Sequence, residues 1–286
     1  MNAENENNTL REWRENSSHW VTYSDLLHSM FAPVTRALIL EAGISDGQSV
    51  LDVAGGAGEP SLTIAQVVGP SGSVTCTDAI EEMLTGASAK AKSLGLDNIT
   101  FRQCVADTLP FSTDSFDRAV SRLGAMFFPD PLNALQEMLR VIKPGGKLCL
   151  VVWHKSELNP FCSLTSKVMA RHIESPATDP NAPGVFQFAE SGKLAGFLSK
   201  AGATDVRERL LEFRIEAPIS FAEYWQLRSH TSGTLREQLA TLSDEETRDV
   251  EVEVEEEGSR FFHNGQMSFP AAMLVVTGTK IDTKGL

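Results

Sequence analysis

The sequence predicts an α/β fold: a mostly parallel, seven-stranded sheet with helices on both faces and a helical cap. Three observations predict it. Apolar strands alternate with helical stretches from about residue 46 to residue 153, a pattern that gives parallel strands covered on both sides. The first strand runs straight into a glycine turn that opens a helix, Val50-Leu51-Asp52-Val53-Ala54-Gly55-Gly56-Ala57-Gly58. Two later strand-like segments, Thr204–Ile215 and Ala271–Thr279, are separated by fifty-odd residues of helical pattern, a connection too long for a plain turn.

The elements follow in order. Residues 10–45 read as helical, with the aromatics Trp13, Trp20, Tyr23 and Phe31. Ser49–Ala54 is the first strand and Pro60–Val68 a short helix closed by Gly69-Pro70. Ser73–Thr77 is the second strand. Ile80–Leu94 carries Ile80, Met83, Leu84, Ala87, Ala91 and Leu94 as a helical stripe ended by Gly95, the residue best suited to a left-handed helix stop. Ile99–Cys104 and Phe116–Ser121 are strands, and Pro131–Ile142 is a helix with Leu132, Leu135, Met138 and Leu139 on one face. After the turn Pro144-Gly145-Gly146 comes the fifth strand, Lys147–Trp153. Residues 155–189, with Asn159-Pro160, Pro176, Pro180 and Pro183, read as a long irregular connection, and Gly192–Ala201 as a helix. No internal repeat or low-complexity linker divides the chain. The expectation is an N-terminal helical lid over residues 1–45 and a main domain over 46–286, with cap insertions at about 155–189 and 216–268.

Composition narrows the function. The 286 residues are 42% hydrophobic, enough for a sizeable core. No apolar run approaches the roughly 20 residues of a membrane span, and the polar start Met1–Asn8 lacks the apolar region of a secretion signal, so a cytoplasmic location is expected. The 38 acidic against 25 basic side chains give a net charge of −13. That disfavours nucleic acid and anionic membrane as partners, both of which require basic surface. Much of the excess lies between Asp244 and Glu257, where nine acids face one base, Arg248. Ser243 and Glu246 suit a capping box, and Val250 and Val254 stand four apart, so a solvated helix is expected; the alternation Glu251-Val252-Glu253-Val254 would also suit an edge strand. Cys76, Cys104, Cys149 and Cys162 form no CxxC pair. Reduced thiols, three in strands and Cys162 in a loop or lid, are expected, with neither disulfides nor a metal site.

The glycine turn brings bare backbone close to any ligand at the sheet edge. A dinucleotide fingerprint would require glycines at 56, 58 and 61, and position 61 is Ser61, which weakens an NAD-dependent oxidoreductase reading. No Tyr-x-x-x-Lys pair supports one either. Asp78 ends the second strand, where an acid takes both hydroxyls of a ribose or simply caps the next helix. It points to an adenosine-type ligand without choosing one.

The choice comes from Val105-Ala106-Asp107-Thr108-Leu109-Pro110-Phe111 after strand three, Ser115-Phe116-Asp117 opening strand four, and Arg140-Val141-Ile142-Lys143-Pro144-Gly145-Gly146 before strand five. With the glycine turn, these motifs resemble the class I S-adenosylmethionine-dependent methyltransferases, most closely the group that includes the ubiquinone and menaquinone C-methyltransferases. The resemblance covers residues 45–153 and extends more weakly through Trp153 and Asn159-Pro160-Phe161 to the final strand. It implies a Rossmann-like fold, S-adenosylmethionine as cofactor and a small-molecule acceptor. It also implies that the backbone of Ala54, Gly55, Gly56 and Gly58 packs on the methionine part, and that Asp52 orients the loop and the ammonium. By the same resemblance Asp78 binds the ribose, Ala79 and Met83 lie near the adenine, Asp107 takes the adenine amine beside Ala106, and Arg122 and Leu123 line the methionine side. Ala54 departs from the family, which commonly has glycine there.

Methyl transfer from a sulfonium requires mainly alignment and exclusion of water. A base is required only when the acceptor loses a proton near attack. His154, just past strand five, is the candidate, although a histidine at a strand end also serves simply as a cap. His19, Tyr23 and His230 follow it. Trp20, Tyr23, Trp153, Phe161, Tyr224, Trp225 and His230 are candidates for the walls of an apolar acceptor pocket, against the alternative of ordinary core packing. A cofactor-binding domain without catalysis is the remaining alternative. Nothing in the sequence selects carbon, nitrogen, oxygen or sulfur as the methylated atom.

Overall fold

The computed structural model describes residues 3–173 and 182–282. Five parallel strands, β1 (Ser49–Val53), β2 (Ser73–Asp78), β3 (Ile99–Gln103), β4 (Phe116–Arg122) and β5 (Ile142–Trp153), lie in the order β3-β2-β1-β4-β5. Beyond β5 come β8 (Gln266–Lys280), antiparallel to β5, and then β6 (Ala203–Ala217) at the edge. The seven expected strands are thus present, and a two-residue β7 (Phe262–His263) adds a short hairpin partner to β8. Strand order reverses between β1 and β4, and in such sheets the ligand crevice lies there, outside the carboxyl ends.

The sheet is covered on both faces. Leu148–Trp153 of β5 and Ala271–Val276 of β8 are buried without alternation, which a sheet open to water on one side would not allow. Helices α3 (Ser61–Val68) and α4 (Glu81–Ser93) pack on β1, β2 and β3, and α5 (Pro131–Val141) and α7 (Lys193–Lys200) pack on each other and on the other half.

The N-terminal helical stretch divides at Tyr23 into α1 (Ala3–Thr22) and α2 (Ser24–Ala42). The two helices pack against different parts of the fold. The apolar face of α2, with Leu27, Met30, Phe31, Val34 and Leu38 buried, packs on β4, β5, β8 and β6, so this half of the expected lid is a layer of the main fold. Helix α1 crosses the carboxyl edge: Val21 presses on Gly86 of α4, and Trp13 meets Phe127, in the turn after β4, edge-on at 5.1 Å.

The stretch from 155 to 189 is more regular than its prolines suggest. A 3-10 turn, Ser156–Leu158, leads into helix α6 (Pro160–His172). Pro160 stands at the first helical turn, where its missing N–H costs nothing. Cys162 therefore lies in a helix rather than a loop. Pro176 and Pro180 lie outside the described residues. Asn159 is fully buried and fixes this corner: Nδ2 donates to the carbonyls of His154 (3.0 Å), Lys155 (3.0 Å) and Ala272 (2.9 Å), and Oδ1 accepts from the Ala272 amide (2.9 Å).

The cap is carried on a ribbon. β5 stops at the Trp153–Met273 pair, whereas β6 and β8 stay paired to Ala217–Met267. Their connection holds α8 (Phe221–Thr231), α9 (Gly233–Leu239) and α10 (Asp244–Gly258). The acidic run is α10, begun by the expected Ser243–Glu246 capping box. Val250 and Val254 are buried while Val252 is 52% exposed, a helical period that excludes the edge-strand alternative. Lys167 and Arg171 of α6 pair with Glu257, and Arg171 also with Glu253. All four cysteines are free thiols. No helix among the described residues is long and apolar enough to cross a membrane.

Candidate active site

The glycine turn sits at the carboxyl end of β1 with its backbone in unusual conformations. Ala54 has φ +59° and Gly56 φ +54°. The left-handed region costs an L-residue roughly 1–2 kcal/mol, which explains why glycine is common at position 54. A side chain on Gly56 would meet no atom within 4 Å, so its backbone faces open space. Gly55 lies against Cys76 and Asp52, and Gly58 against Leu62 and Ala87. Leu123, at the end of the neighbouring β4, also has a positive φ, +62°. Two strained non-glycine residues on adjacent strand ends mark the switch point, as functional sites commonly do.

The methyl of Ala54 fits because Gly124 has none: a Cβ on Gly124 would lie 2.6 Å from Ala54 Cβ and 2.7 Å from Ser121 Oγ. Gly124→Ala is expected to destabilise the fold by about 1–3 kcal/mol, the usual cost of overpacking. The double variant with Ala54→Gly should recover part of that loss. Urea unfolding of the four proteins measures the coupling; strictly additive effects would show that the two residues do not share this space.

Asp52 and Arg122 stand on the paired strands β1 and β4 at the switch point. Asp52 is fully buried. Its Oδ2 accepts from Ser61 Oγ at 2.6 Å, and its Oδ1 has no partner. Burial pushes the carboxyl up to about 7, against the Ser61 bond and the charge of Arg122, with Glu59 and Asp78 adding to the rise. Arg122 donates from Nη1 to Thr35 Oγ1 (2.9 Å) and from Nη2 to the Glu59 carbonyl (3.1 Å), while its buried Nε is unpartnered. Ser121 Oγ beside it is buried without a partner as well. Ser61 therefore does more than interrupt a glycine fingerprint: it holds Asp52.

Backbone amides hold the Asp78 carboxylate. Its Oδ2 accepts from the Gly56 amide and its Oδ1 from the Ile80 amide, both at 2.9 Å. It thus anchors the glycine turn and the Ile80 turn that leads into α4 at once. Burial raises its pKa, opposed by the amide bonds of Ile80, Gly56 and Ala79. The Ala79 carbonyl accepts from Gln103 Nε2 at 2.9 Å, and Met83 lies on the buried face of α4. Asp107 and Ala106 are half-buried, and no hydrogen bond among the described residues engages the Asp107 carboxylate. Its loop is held from α5: Asn133 Nδ2 donates to the Asp107 carbonyl, Glu137 accepts from the Leu109 amide, and Arg140 donates to the carbonyls of Leu109 and Phe111. These three positioning residues escaped the sequence reading; their spacing on one face of an amphipathic helix was the available signal.

Above the crevice, α1 meets α8. Tyr23 Oη lies 3.1 Å from His230 Nδ1, and the His19 ring stacks on His230 at 4.4 Å. Burial, then His230 and Arg236, push the His19 pKa down. Trp20 Nε1 is buried without a partner, and Trp225 is half-buried on α8. Trp153, Phe161 and Tyr224 sit deeper. Phe31 packs edge-on against Trp153 and Phe161, and Tyr224 is fully buried, stacked on Phe269, with its hydroxyl donating to the Phe161 carbonyl at 3.1 Å. These three belong to the hydrophobic core. His154 is tied down: Nδ1 lies 2.6 Å from the Ala189 carbonyl, which assigns the proton to Nδ1 and leaves Nε2 as the acceptor.

A parallel sheet with an antiparallel final strand, a glycine turn after β1 and acids ending β1 and β2 define a class I S-adenosylmethionine-dependent methyltransferase. The chain belongs to the ubiE/COQ5 methyltransferase family, which it matches over residues 28–173. It is 37% identical over 131 residues to an uncharacterised protein of Mycobacterium tuberculosis, covering 46% of each chain. It is 36% identical over 124 residues to the ubiquinone/menaquinone biosynthesis C-methyltransferase UbiE of Pasteurella multocida, covering 43% of this chain and 46% of that one. The chain thus spans about half the length of the curated relatives it matches. Its fold is shared with the YcgJ protein of Bacillus subtilis at 24% identity and a TM-score of 0.56, over 87% of this chain and 98% of that one.

Proposed function

We propose that this protein transfers the methyl group of S-adenosylmethionine to a small apolar or aromatic organic acceptor by in-line displacement. The observation that carries the reading is the pair of unpartnered buried atoms at the switch point, Asp52 Oδ1 and Arg122 Nε, beside the open backbone of Gly56. One acid and one guanidinium suit the ammonium and carboxylate of an amino-acid end. Each Asp78 oxygen keeps a lone pair for a ribose hydroxyl, and the free carboxylate of Asp107 suits the adenine amine. When bound, S-adenosylmethionine supplies a methyl group already activated on sulfur. The protein's part is to align and to exclude water. Alignment of this kind is worth roughly 7–11 kcal/mol. Helices α1 and α8 close the site, with Trp20, Tyr23, Trp225 and His230 toward the acceptor and Trp153, Phe161 and Tyr224 as their support. Where the acceptor must lose a proton, His154 Nε2 takes it.

Thermal shift with S-adenosylmethionine, S-adenosylhomocysteine and NAD tests the cofactor, since a ligand at 100 times its Kd stabilises by about 2.7 kcal/mol. Stabilisation by NAD alone would establish the oxidoreductase instead. Turnover with any acceptor excludes a purely binding role. Trp225→Ala is expected to lower turnover about tenfold while S-adenosylhomocysteine affinity changes less than about twofold, because closure acts on the acceptor. Equal losses in both would make Trp225 a structural residue.

A further inference from the structure

Helices α1 and α8 meet through two histidines. The His19 ring stacks on His230 with centroids 4.4 Å apart and planes 21° from parallel. On the same imidazole, Nδ1 of His230 lies 3.1 Å from Tyr23 Oη. Where the hydroxyl donates, Nδ1 must be unprotonated, and uptake of a proton there reverses the bond. All three rings are half-buried. Two neutral imidazoles stack without penalty, whereas two imidazolium ions at this separation repel each other.

The surrounding charges do not relieve that repulsion. His28 meets Glu59 and His172 meets Glu253, but among the described residues no carboxylate forms an ion pair with His19 or His230. The cation Arg236 of α9 is beside them instead: its Nη1 donates to the His230 carbonyl at 3.4 Å, and its charge acts on His19. The other charged groups of the elements around the stack have other neighbours. On α1, Glu12 lies among Arg11, Glu15, Arg236 and Glu237 of α9. Glu82 of α4 pairs with Arg14 at 4.0 Å, and Asp25 of α2 with Lys90 at 2.7 Å. On α8, Glu223 accepts from Ser220 and Arg228 stacks on Phe161.

We propose that the His19–His230 stack, with Tyr23 on His230, is a pH-sensitive latch between α1 and α8, closed when the rings are neutral and released when they take up protons. Burial, then the charges of His230 and Arg236, hold the His19 pKa below its ordinary value of 6.5. A histidine lowered in this way favours the closed contact fully above its ordinary value, and that contribution is lost as pH falls through its own lower value. The latch stands on this geometry alone. Its consequence for turnover rests on the methyltransferase reading: α1 and α8 close over the acceptor at neutral and alkaline pH and part in acid.

The test uses the full chain without ligand and follows acrylamide quenching of tryptophan fluorescence from about pH 8 to about pH 5. Trp13 and Trp20 of α1 and Trp225 of α8 are half-buried, whereas Trp153 is only 4% exposed, so the signal reports on the two helices. The expected result is a quenching constant that rises about twofold in acid, with a midpoint below the ordinary histidine value, while circular dichroism shows the fold intact. His19→Gln and His230→Gln each leave a single titrating ring and should flatten the rise to less than about 1.2-fold. A parent whose quenching does not change with pH, or a rise of full size in both variants, overturns the proposal. If one variant fails to fold, the other decides on the same criterion. S-adenosylhomocysteine binding, measured separately at about pH 8, tests the other reading: a chain that shows the histidine-dependent rise but does not bind S-adenosylhomocysteine refutes the cofactor assignment and supports the latch.

Discussion

Asp52→Asn is expected to make the free protein more stable at neutral and alkaline pH and, at the same time, a much weaker cofactor binder. Asp52 is fully buried, has one hydrogen-bonded oxygen, and carries a pKa raised to about 7 mainly by burial. The folded state therefore holds a proton that the unfolded state releases at a lower pH. Stability contributed by this group is greatest at acid pH and declines as pH rises from the ordinary carboxylate range to about 7. Above that the full penalty is present, roughly 4 kcal/mol in order of magnitude. Asparagine keeps the bond to Ser61 and removes the titration, so the variant should gain several degrees in Tm at pH 8 and little at pH 4. Cofactor binding should move the opposite way in the parent. An ammonium is better received by the ionised carboxylate, so affinity rises between pH 6 and 8, with a proton released on binding near pH 7. In Asp52→Asn that affinity should be low and flat with pH. Urea unfolding and calorimetry across this range check both halves. A variant that binds S-adenosylhomocysteine normally, or a parent whose stability rises from pH 5 to 8 by as much as the variant's, would refute the role given to Asp52.

The same residue shows how far the sequence could be read. The strand-end positions of Asp52, Asp78 and Asp107 were legible because an apolar run fixes where each strand ends, and position near a strand end is a local property. The α10 helix was legible for a similar reason, since its capping box and the four-residue spacing of Val250 and Val254 are local. Partners were not legible. Ser61 looked like a missing glycine until the fold brought its hydroxyl to Asp52, and Asn159 joins His154 to Ala272, 113 residues away. Helix α2 was read as part of a lid because its aromatics continue those of α1; what separates them is the break at Tyr23, a three-dimensional turn with no proline or glycine to announce it. Periodicity determines which face of an element is buried, but the identity of the atom opposite a polar group is a tertiary fact.

Asp78→Ala is expected to lower S-adenosylhomocysteine affinity at least about 100-fold, more than the loss of a ribose contact alone would give. Two effects combine. On the proposed reading the carboxylate accepts both ribose hydroxyls, and charge-assisted bonds of this type are worth roughly 1.5–3 kcal/mol each. The same oxygens hold the Gly56 and Ile80 amides at 2.9 Å, so alanine also frees the glycine turn on which the methionine part would rest. The fold should survive with a loss of about 1–3 kcal/mol, the usual cost of removing a hydrogen-bonded partner. The two effects separate when the ligand is varied instead of the protein. In the parent, the 2′-deoxy and 3′-deoxy analogues of S-adenosylhomocysteine should each bind tenfold or more weakly. In Asp78→Ala the natural ligand and both analogues should bind alike, because no carboxylate remains to tell them apart. The residual weakness common to all three then measures what the loosened turn costs. Calorimetry on the two proteins with the three ligands completes the comparison. If the parent does not distinguish the deoxy analogues, Asp78 is only a turn anchor; if the variant still distinguishes them, another residue reads the ribose.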